Sequence, residues 1–225
     1  MKKTKLFFCL LLLGACASPD TSWFPLTEGY WWQYAAVRSI KGESHVQKLV
    51  MANLAAVKTG ATTLFPRMRA DGQIDYYEKT DKAIYRINPD DGSRTLLLQE
   101  PIEVGSKWRS KSKILFLEVT GAFEATYNKK ITEEFDVDYE IVSINDVVKV
   151  KAGRFTNCIR IVGKGSLYGG GGSLKEFMAI DNINIETVDW HAPGVGLIKR
   201  TRKEYTYPLD FQNHYSEELE SVKKG

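Results

Sequence analysis

The chain has 225 residues, of which 43% are hydrophobic and 12% aromatic, a composition that supports a folded core and excludes wholesale disorder. Its net charge of +3 comes from Lys2, Lys3 and Lys5, because the other 28 of its 31 basic residues equal its 28 acidic residues in number. The balanced remainder gives no reason to expect a basic surface for nucleic acid, and it offers no electrostatic indication of a partner.

The first elements in chain order are a positively charged segment, MKKTK, and an apolar run over residues 6–13. This run is shorter than the about 20 residues that a membrane-spanning helix needs. A charged start followed by a short apolar run and small residues is typical of a secretory signal peptide. We therefore predict that residues 1–15 are a signal peptide that is removed from the mature chain.

The next four residues, Leu13-Gly14-Ala15-Cys16, resemble the lipobox of bacterial lipoproteins. The resemblance implies that Cys16 receives a diacylglyceryl group and, after cleavage, a further acyl chain such as palmitate, and several chains anchor a protein firmly. Residues 16–22 then form a lipidated tether. Ala17 stands where Asp often marks inner-membrane retention, so the resemblance favours the outer membrane, facing the periplasm. The alternative is an ordinary signal peptide with a chance cysteine.

Residues 23–225 read as one β domain, because short runs with period-2 alternation are separated by Gly, Pro, Asn and Asp. Helix has two candidates, residues 50–56 and 215–223, where strand is favoured, and the glycine run at 169–172 predicts a hairpin loop. We predict a mainly β fold, a single antiparallel, strongly curved sheet (half-barrel or open barrel) with little helix. The predicted strands are 30–40, 47–58, 62–69, 74–79, 83–87, 95–99, 108–120, 123–132, 135–145, 147–150, 155–163, 174–182, 185–189, 196–207 and 214–222.

Three segments resemble a family of uncharacterised exported bacterial lipoproteins: WFPLTEGYWWQY at 23–34, VKAGRFTNC at 150–158 and WHAPGVGLIK at 190–199. They are similar to the family patterns FPLxxGxxWxY, VxAGxFxxC and WxAPGVGLxK, with His191 where the third pattern usually has Tyr. The resemblance implies a curved sheet like the half-barrel of Lol-type lipoprotein carriers, although a shared fold does not transfer function. All three segments can also be purely structural, because they combine turn-forming Gly and Pro with large apolar side chains.

No motif commits the sequence to catalysis. His45, His191 and His214 lack the spacing of a zinc site, and there is no G-x-S-x-G element. Once Cys16 is lipidated, Cys158 has no cysteine partner in the mature chain, so we expect it to be buried; a reactive thiol beside a histidine is the alternative. We predict no catalytic residue, no cofactor and no metal.

Aromatic side chains give the candidate binding site. Facing inward on a curved sheet they can line a pocket for a hydrophobic ligand, while simple filling of the core is the favoured alternative. The leading hypothesis is a noncatalytic envelope lipoprotein that binds a hydrophobic ligand or an envelope protein. The other hypotheses are an assembly lipoprotein acting through exposed strand edges, and a hydrolase. The candidate pocket residues are Trp31, Trp32, Tyr34, Trp108 and Trp190.

Overall fold

The computed structural model describes residues 21–40, 42–115, 134–168, 181–208 and 212–225. The predicted signal peptide, Cys16, the glycine run at 169–172 and the predicted strands 123–132 and 174–182 lie wholly or almost wholly outside these residues. Within them the chain forms thirteen strands. These are β1 (Trp31–Ile40), β2 (Glu43–Asn53), β3 (Val57–Thr59), β4 (Thr62–Arg69), β5 (Ile74–Lys79), β6 (Ala83–Ile87), β7 (Arg94–Gln99), β8 (Lys107–Lys113), β9 (Glu134–Val150), β10 (Gly153–Tyr168), β11 (Asn182–Ala192), β12 (Gly196–Tyr207) and β13 (Gln212–Lys223).

All the strands belong to one antiparallel sheet, in the order β7-β6-β5-β4-β2-β1-β13-β12-β11-β10-β9-β8, and β3 pairs with β4 off this path. The sheet is nearly closed into a barrel, which confirms the predicted fold class. β7 and β8 end the order, yet Leu98 of β7 and Trp108 of β8 pack in one buried cluster with Ile84 and Ile161. The barrel is therefore held at its seam by side chains. No helix among the described residues is long and apolar enough to cross a membrane.

The predicted strand bounds are confirmed for β4, β5, β6 and β12. Neither helix candidate is helical: residues 50–53 lie in β2, residues 54–56 lie in no strand and interrupt the predicted strand 47–58, and residues 215–223 lie in β13. One predicted break is wrong, because β9 runs through Asp146 without interruption. The side chain of Asp146 has partners on the sheet surface: Ser143 Oγ donates to it at 2.5 Å and Trp190 Nε1 at 3.0 Å. A polar residue with such partners can lie within a strand.

Period-2 alternation places one set of side chains inside the barrel. On β11, Ile183, Ile185, Thr187, Asp189 and His191 are buried, and the residues between them are less so. The inner face of β10 carries glycines, where an added Cβ at Gly163 would lie 2.6 Å from Tyr139 and Thr187. Glycine at this position lets the Tyr139 side chain lie directly against the strand.

The three motifs singled out from the sequence meet in space. Trp32 Nε1 donates to the Val195 carbonyl at 2.8 Å, and Tyr34 OH donates to the Leu197 carbonyl at 2.9 Å, so the first motif is tied to the third. Cys158 of the second motif packs in the same buried cluster as these aromatic rings. Its predicted burial is confirmed, because the side chain is 0% exposed. These contacts support a structural role for the motifs.

Candidate functional site

Two cavities of about 500 Å³ and about 430 Å³ lie within the barrel. Both volumes fall in the range of about 300–1,000 Å³ that is typical of small-molecule sites. The cavities adjoin, because they share lining residues, and we call the two together the lumen. The shared residues include Phe24, Leu49, Arg69, Arg86, Leu97 and Tyr215.

The structure brings three of the five candidate pocket residues to the lumen. Trp32 and Tyr34 line the larger cavity, and Trp108 lines the smaller one. Trp31 and Trp190 line neither cavity. They are half-buried and alternate along their strands with inward-facing neighbours. Trp32 and Tyr34 also belong to a buried core cluster, so they fill the core and form a cavity wall at once.

One wall of the lumen is apolar. It includes side chains from both strands at the seam, and the Trp108 ring stacks on Tyr139 with 5.5 Å between the ring centroids. A stacked aromatic pair presents a rigid surface to a ligand. The apolar members of the smaller cavity are Phe24, Leu49, Leu96, Leu97, Trp108, Leu115 and Ile161.

The rest of the wall is polar and contains several arginines, which the charge balance of the sequence did not indicate. Six of the ten arginines in the chain line the lumen: Arg38, Arg67, Arg69, Arg86, Arg200 and Arg202. The net charge of the sequence did not predict this distribution, because a neutral total contains no information about where the charges lie. A signal was available, since Arg67 with Arg69 and Arg200 with Arg202 are spaced two apart on predicted strands and so share a face.

Arg67 is fixed as part of the wall. Its Nε donates to Asn53 Oδ1 at 2.8 Å and its Nη2 donates to the Pro25 carbonyl at 2.9 Å. These bonds and cation–π contacts leave its guanidinium little freedom to rearrange for a ligand. Three aromatic rings surround its guanidinium carbon at 4.5–4.9 Å: Phe24, Trp32 and Tyr77.

Arg200 is paired inside the barrel. Its Nε and Nη2 donate to the two carboxylate oxygens of Asp189 at 2.8 Å and 2.5 Å. Burial alone would raise the pKa of Asp189, but the charge and hydrogen bonds of Arg200 outweigh it and lower this pKa. Glu217 lies 3.9 Å from Arg200, and there burial prevails and raises the pKa of the carboxyl.

Arg202 is also engaged. Its Nε donates to Glu204 Oε1 at 2.8 Å, and its Nη1 donates to Ser112 Oγ on β8 at 2.9 Å. Asn213 Nδ2 donates to the other oxygen of Glu204 at 3.0 Å. This buried pair has the additional hydrogen bonds that a buried ion pair needs, so it joins β8, β12 and β13.

His191 and Cys158 are both buried, and burial keeps each side chain in its uncharged form. His191 Nδ1 lies 3.1 Å from the Trp23 carbonyl, and burial lowers its pKa to about 4. Burial raises the pKa of the Cys158 thiol, which disfavours the reactive thiolate. Across the part of the chain that the structure describes, no group of three His, Cys, Asp or Glu residues could hold a metal ion.

Two solved structures are similar to this chain. One is a protein from Bacteroides fragilis described as exported, with a YmcC-like fold; it shares 14% identity, covers 89% of this chain and 98% of its own, and has a TM-score of 0.47. The other, from Parabacteroides distasonis, is described as a lipoprotein; it shares 12% identity, covers 92% of this chain and 100% of its own, and has a TM-score of 0.49. No protein-family model and no curated protein matches the sequence. Membership of the lipoprotein family named above stays a prediction.

Proposed function

We propose that this chain is a noncatalytic, lipid-anchored protein of the bacterial envelope whose barrel binds a ligand with an apolar part. The observation that carries the proposal is the lumen, because two adjoining cavities of about 500 Å³ and about 430 Å³ lie behind an apolar and aromatic wall. Cavities of this size and lining are typical of ligand sites rather than of packing defects, which in protein interiors are few and small.

The anchor belongs to the proposal and has its own test. The lipobox-like Leu13-Gly14-Ala15-Cys16 supports acylation of Cys16, and Ala17 after it favours the outer membrane, facing the periplasm. Replacement of Cys16 by Ser should abolish labelling of the protein by radioactive palmitate and release it from membranes. Cys9→Ser is the matched control, because this cysteine lies within the proposed signal peptide, and it should change neither result. Labelling that persists in Cys16→Ser contradicts the anchor.

The noncatalytic part of the proposal is supported by the state of Cys158. A nucleophilic cysteine needs access and a lowered pKa, whereas this thiol is 0% exposed and burial raises its pKa. His191, the histidine in the lumen wall, is kept neutral by burial and is bonded to a backbone carbonyl. We therefore favour binding over hydrolysis.

The edge strand β8 favours ligand binding over assembly through strand edges. Three of its cations are each paired with an acid on β9, and all six side chains are well exposed. Exposed pairs add little stability, but a charged edge discourages pairing with another strand. The pairs are Lys107–Glu140 at 3.4 Å, Arg109–Asp138 at 2.6 Å and Lys111–Asp136 at 2.8 Å.

Tryptophan fluorescence tests the lumen as the binding site. The protein without residues 1–16, which retains every described strand, is titrated with a brominated long-chain alcohol, whose bromine quenches nearby indoles. Binding in the lumen should give saturable quenching of the tryptophan fluorescence. Because Trp108 lines the lumen and Trp31 does not, this quenching should decrease in Trp108→Phe and stay unchanged in Trp31→Phe. The absence of saturable quenching, or an equal effect of the two variants, overturns the proposal.

A further inference from the structure

Basic side chains outnumber acidic ones among the residues that line the lumen. Among the described residues, nine lining side chains are basic and four are acidic. Two of the basic ones, Lys111 and Arg202, are neutralised by Asp136 and Glu204, which do not line the lumen, so an excess of three positive charges remains. The raised pKa of Glu217, caused mainly by burial, increases this excess whenever its carboxyl is protonated.

Three of the six lumen arginines are not fixed by strong contacts. Arg38 lies over the Tyr215 ring with 5.8 Å between its guanidinium carbon and the ring centroid. Arg69 contacts Asp71 at 3.5 Å, and the two side chains are 41% and 52% exposed. The side chain of Arg86 makes no hydrogen bond or ion pair with the residues that the structure describes. These three guanidinium groups, unlike those of Arg67, Arg200 and Arg202, are free to bind a ligand.

Arg69 and Arg86 also occupy a defined place in the lumen. They project from β4 and β6, and each lines both cavities, so they lie where the two cavities adjoin. The apolar wall formed by Leu97, Trp108 and Ile161 borders the same space. A guanidinium group presents a planar fork of donors that matches the oxygens of a carboxylate or a phosphate.

We propose that the lumen holds an anionic amphiphile, with its carboxylate or phosphate bound by Arg69 and Arg86 and its apolar chain along the Trp108 wall. This inference rests on the proposed function and names its ligand class. Arg38 contributes positive charge at the same cavity. In a confined cleft with low-dielectric walls, an excess of cations attracts anions more strongly than it would on an open surface.

Four probes with one chain length and different head groups test this inference: laurate, dodecyl phosphate, dodecanol and dodecyltrimethylammonium. Their affinities for the protein without residues 1–16 are measured by calorimetry below their critical micelle concentrations. We expect both anions to bind about tenfold more tightly than dodecanol, because hydrogen bonds to charged groups are the stronger ones. The cation should bind weakest. A preference for laurate indicates a free acid as the natural source, and a preference for dodecyl phosphate indicates a lipid head group.

Variants that remove positive charges test whether Arg69 and Arg86 cause the preference for anionic probes. The double variant Arg69→Gln, Arg86→Gln should bind laurate no more tightly than dodecanol. Its control is Lys149→Gln, Arg154→Gln, which removes two cations from exposed positions on β9 and β10 and should keep the preference. Should the first double variant fail to fold, added salt on the wild type is the second measurement, because it should weaken laurate binding and not dodecanol binding.

The outcomes separate the two proposals. If laurate and dodecanol bind the wild type equally, or if the Arg69→Gln, Arg86→Gln variant keeps the preference, the anionic ligand class is wrong and the lumen remains a site for an apolar ligand. If no probe binds, the proposed function itself is overturned.

Discussion

The burial of His191 makes the stability of the barrel depend on pH. Its Nδ1 lies 3.1 Å from the Trp23 carbonyl, which can only accept, and burial lowers the pKa of the ring from 6.5 to about 4. The unfolded chain therefore takes up a proton before the folded chain as the pH falls below 6.5. The contribution of neutral His191 to the free energy of unfolding is therefore complete above pH 6.5 and is lost as the pH falls toward 4. It amounts to about 3 kcal/mol, since one pKa unit corresponds to about 1.4 kcal/mol.

The substitution His191→Gln isolates this contribution. Glutamine can still donate to the Trp23 carbonyl but does not titrate, so the variant should lose about 3 kcal/mol less free energy of unfolding than the wild type between pH 6.5 and pH 4. Asp189 affects the two proteins alike, because its pKa is lowered from 3.8, against the effect of burial, mainly by Arg200, which both proteins retain. Glu217, with a raised pKa, contributes with the opposite sign in both proteins.

Urea-unfolding curves at closely spaced pH values provide the measurement. The control is His214→Gln, an exposed position on β13, which should follow the wild type. If His191→Gln loses as much stability on acidification as the wild type, the folded-state pKa of His191 is close to its usual value and the argument from its burial is wrong.

Three further predictions concern packing. Gly163→Ala should destabilise the fold by about 1–3 kcal/mol in urea unfolding, because the new methyl would lie 2.6 Å from the Tyr139 ring; an unchanged midpoint would show that the ring moves aside easily. Trp32→Phe should cost at least about 1 kcal/mol, because it removes the hydrogen bond to the Val195 carbonyl and leaves a smaller ring at a buried position, and a neutral result would exclude a stabilising role for this bond. Cys158 should react with a thiol reagent only under unfolding conditions, so fast labelling of the native protein would contradict its burial.

Much of the fold could be predicted, because a strand with one buried face has a characteristic residue pattern and is bounded by turn-forming residues. β4 and β5 are separated by the turn residues Asp71 and Gly72, and the bounds at this turn follow from that signal. β9 was predicted as two strands because Asp146 lies within it as a polar residue. Asp146 accepts a hydrogen bond from Trp190 of β11, which lies two strands away in the sheet, and the local sequence cannot reveal this partner.

The lumen could be predicted only in part. Aromatic composition led to Trp32, Tyr34 and Trp108, which line it, and equally to Trp31 and Trp190, which do not. Composition gives the residue type that can line a pocket, whereas the register of the sheet decides the face. The arginines were missed for a related reason, since a sum of charges contains no information about which side of a strand each charge occupies.

Native mass spectrometry of the protein extracted from its own envelope tests the central claim most directly. The account predicts one noncovalently bound anionic amphiphile per chain, absent from the Arg69→Gln, Arg86→Gln variant and present in the Lys149→Gln, Arg154→Gln control. A denaturing spectrum of the same sample separates this mass from acyl chains attached to Cys16. A wild-type chain without any bound amphiphile, or with a neutral lipid that both double variants retain, would contradict the claim.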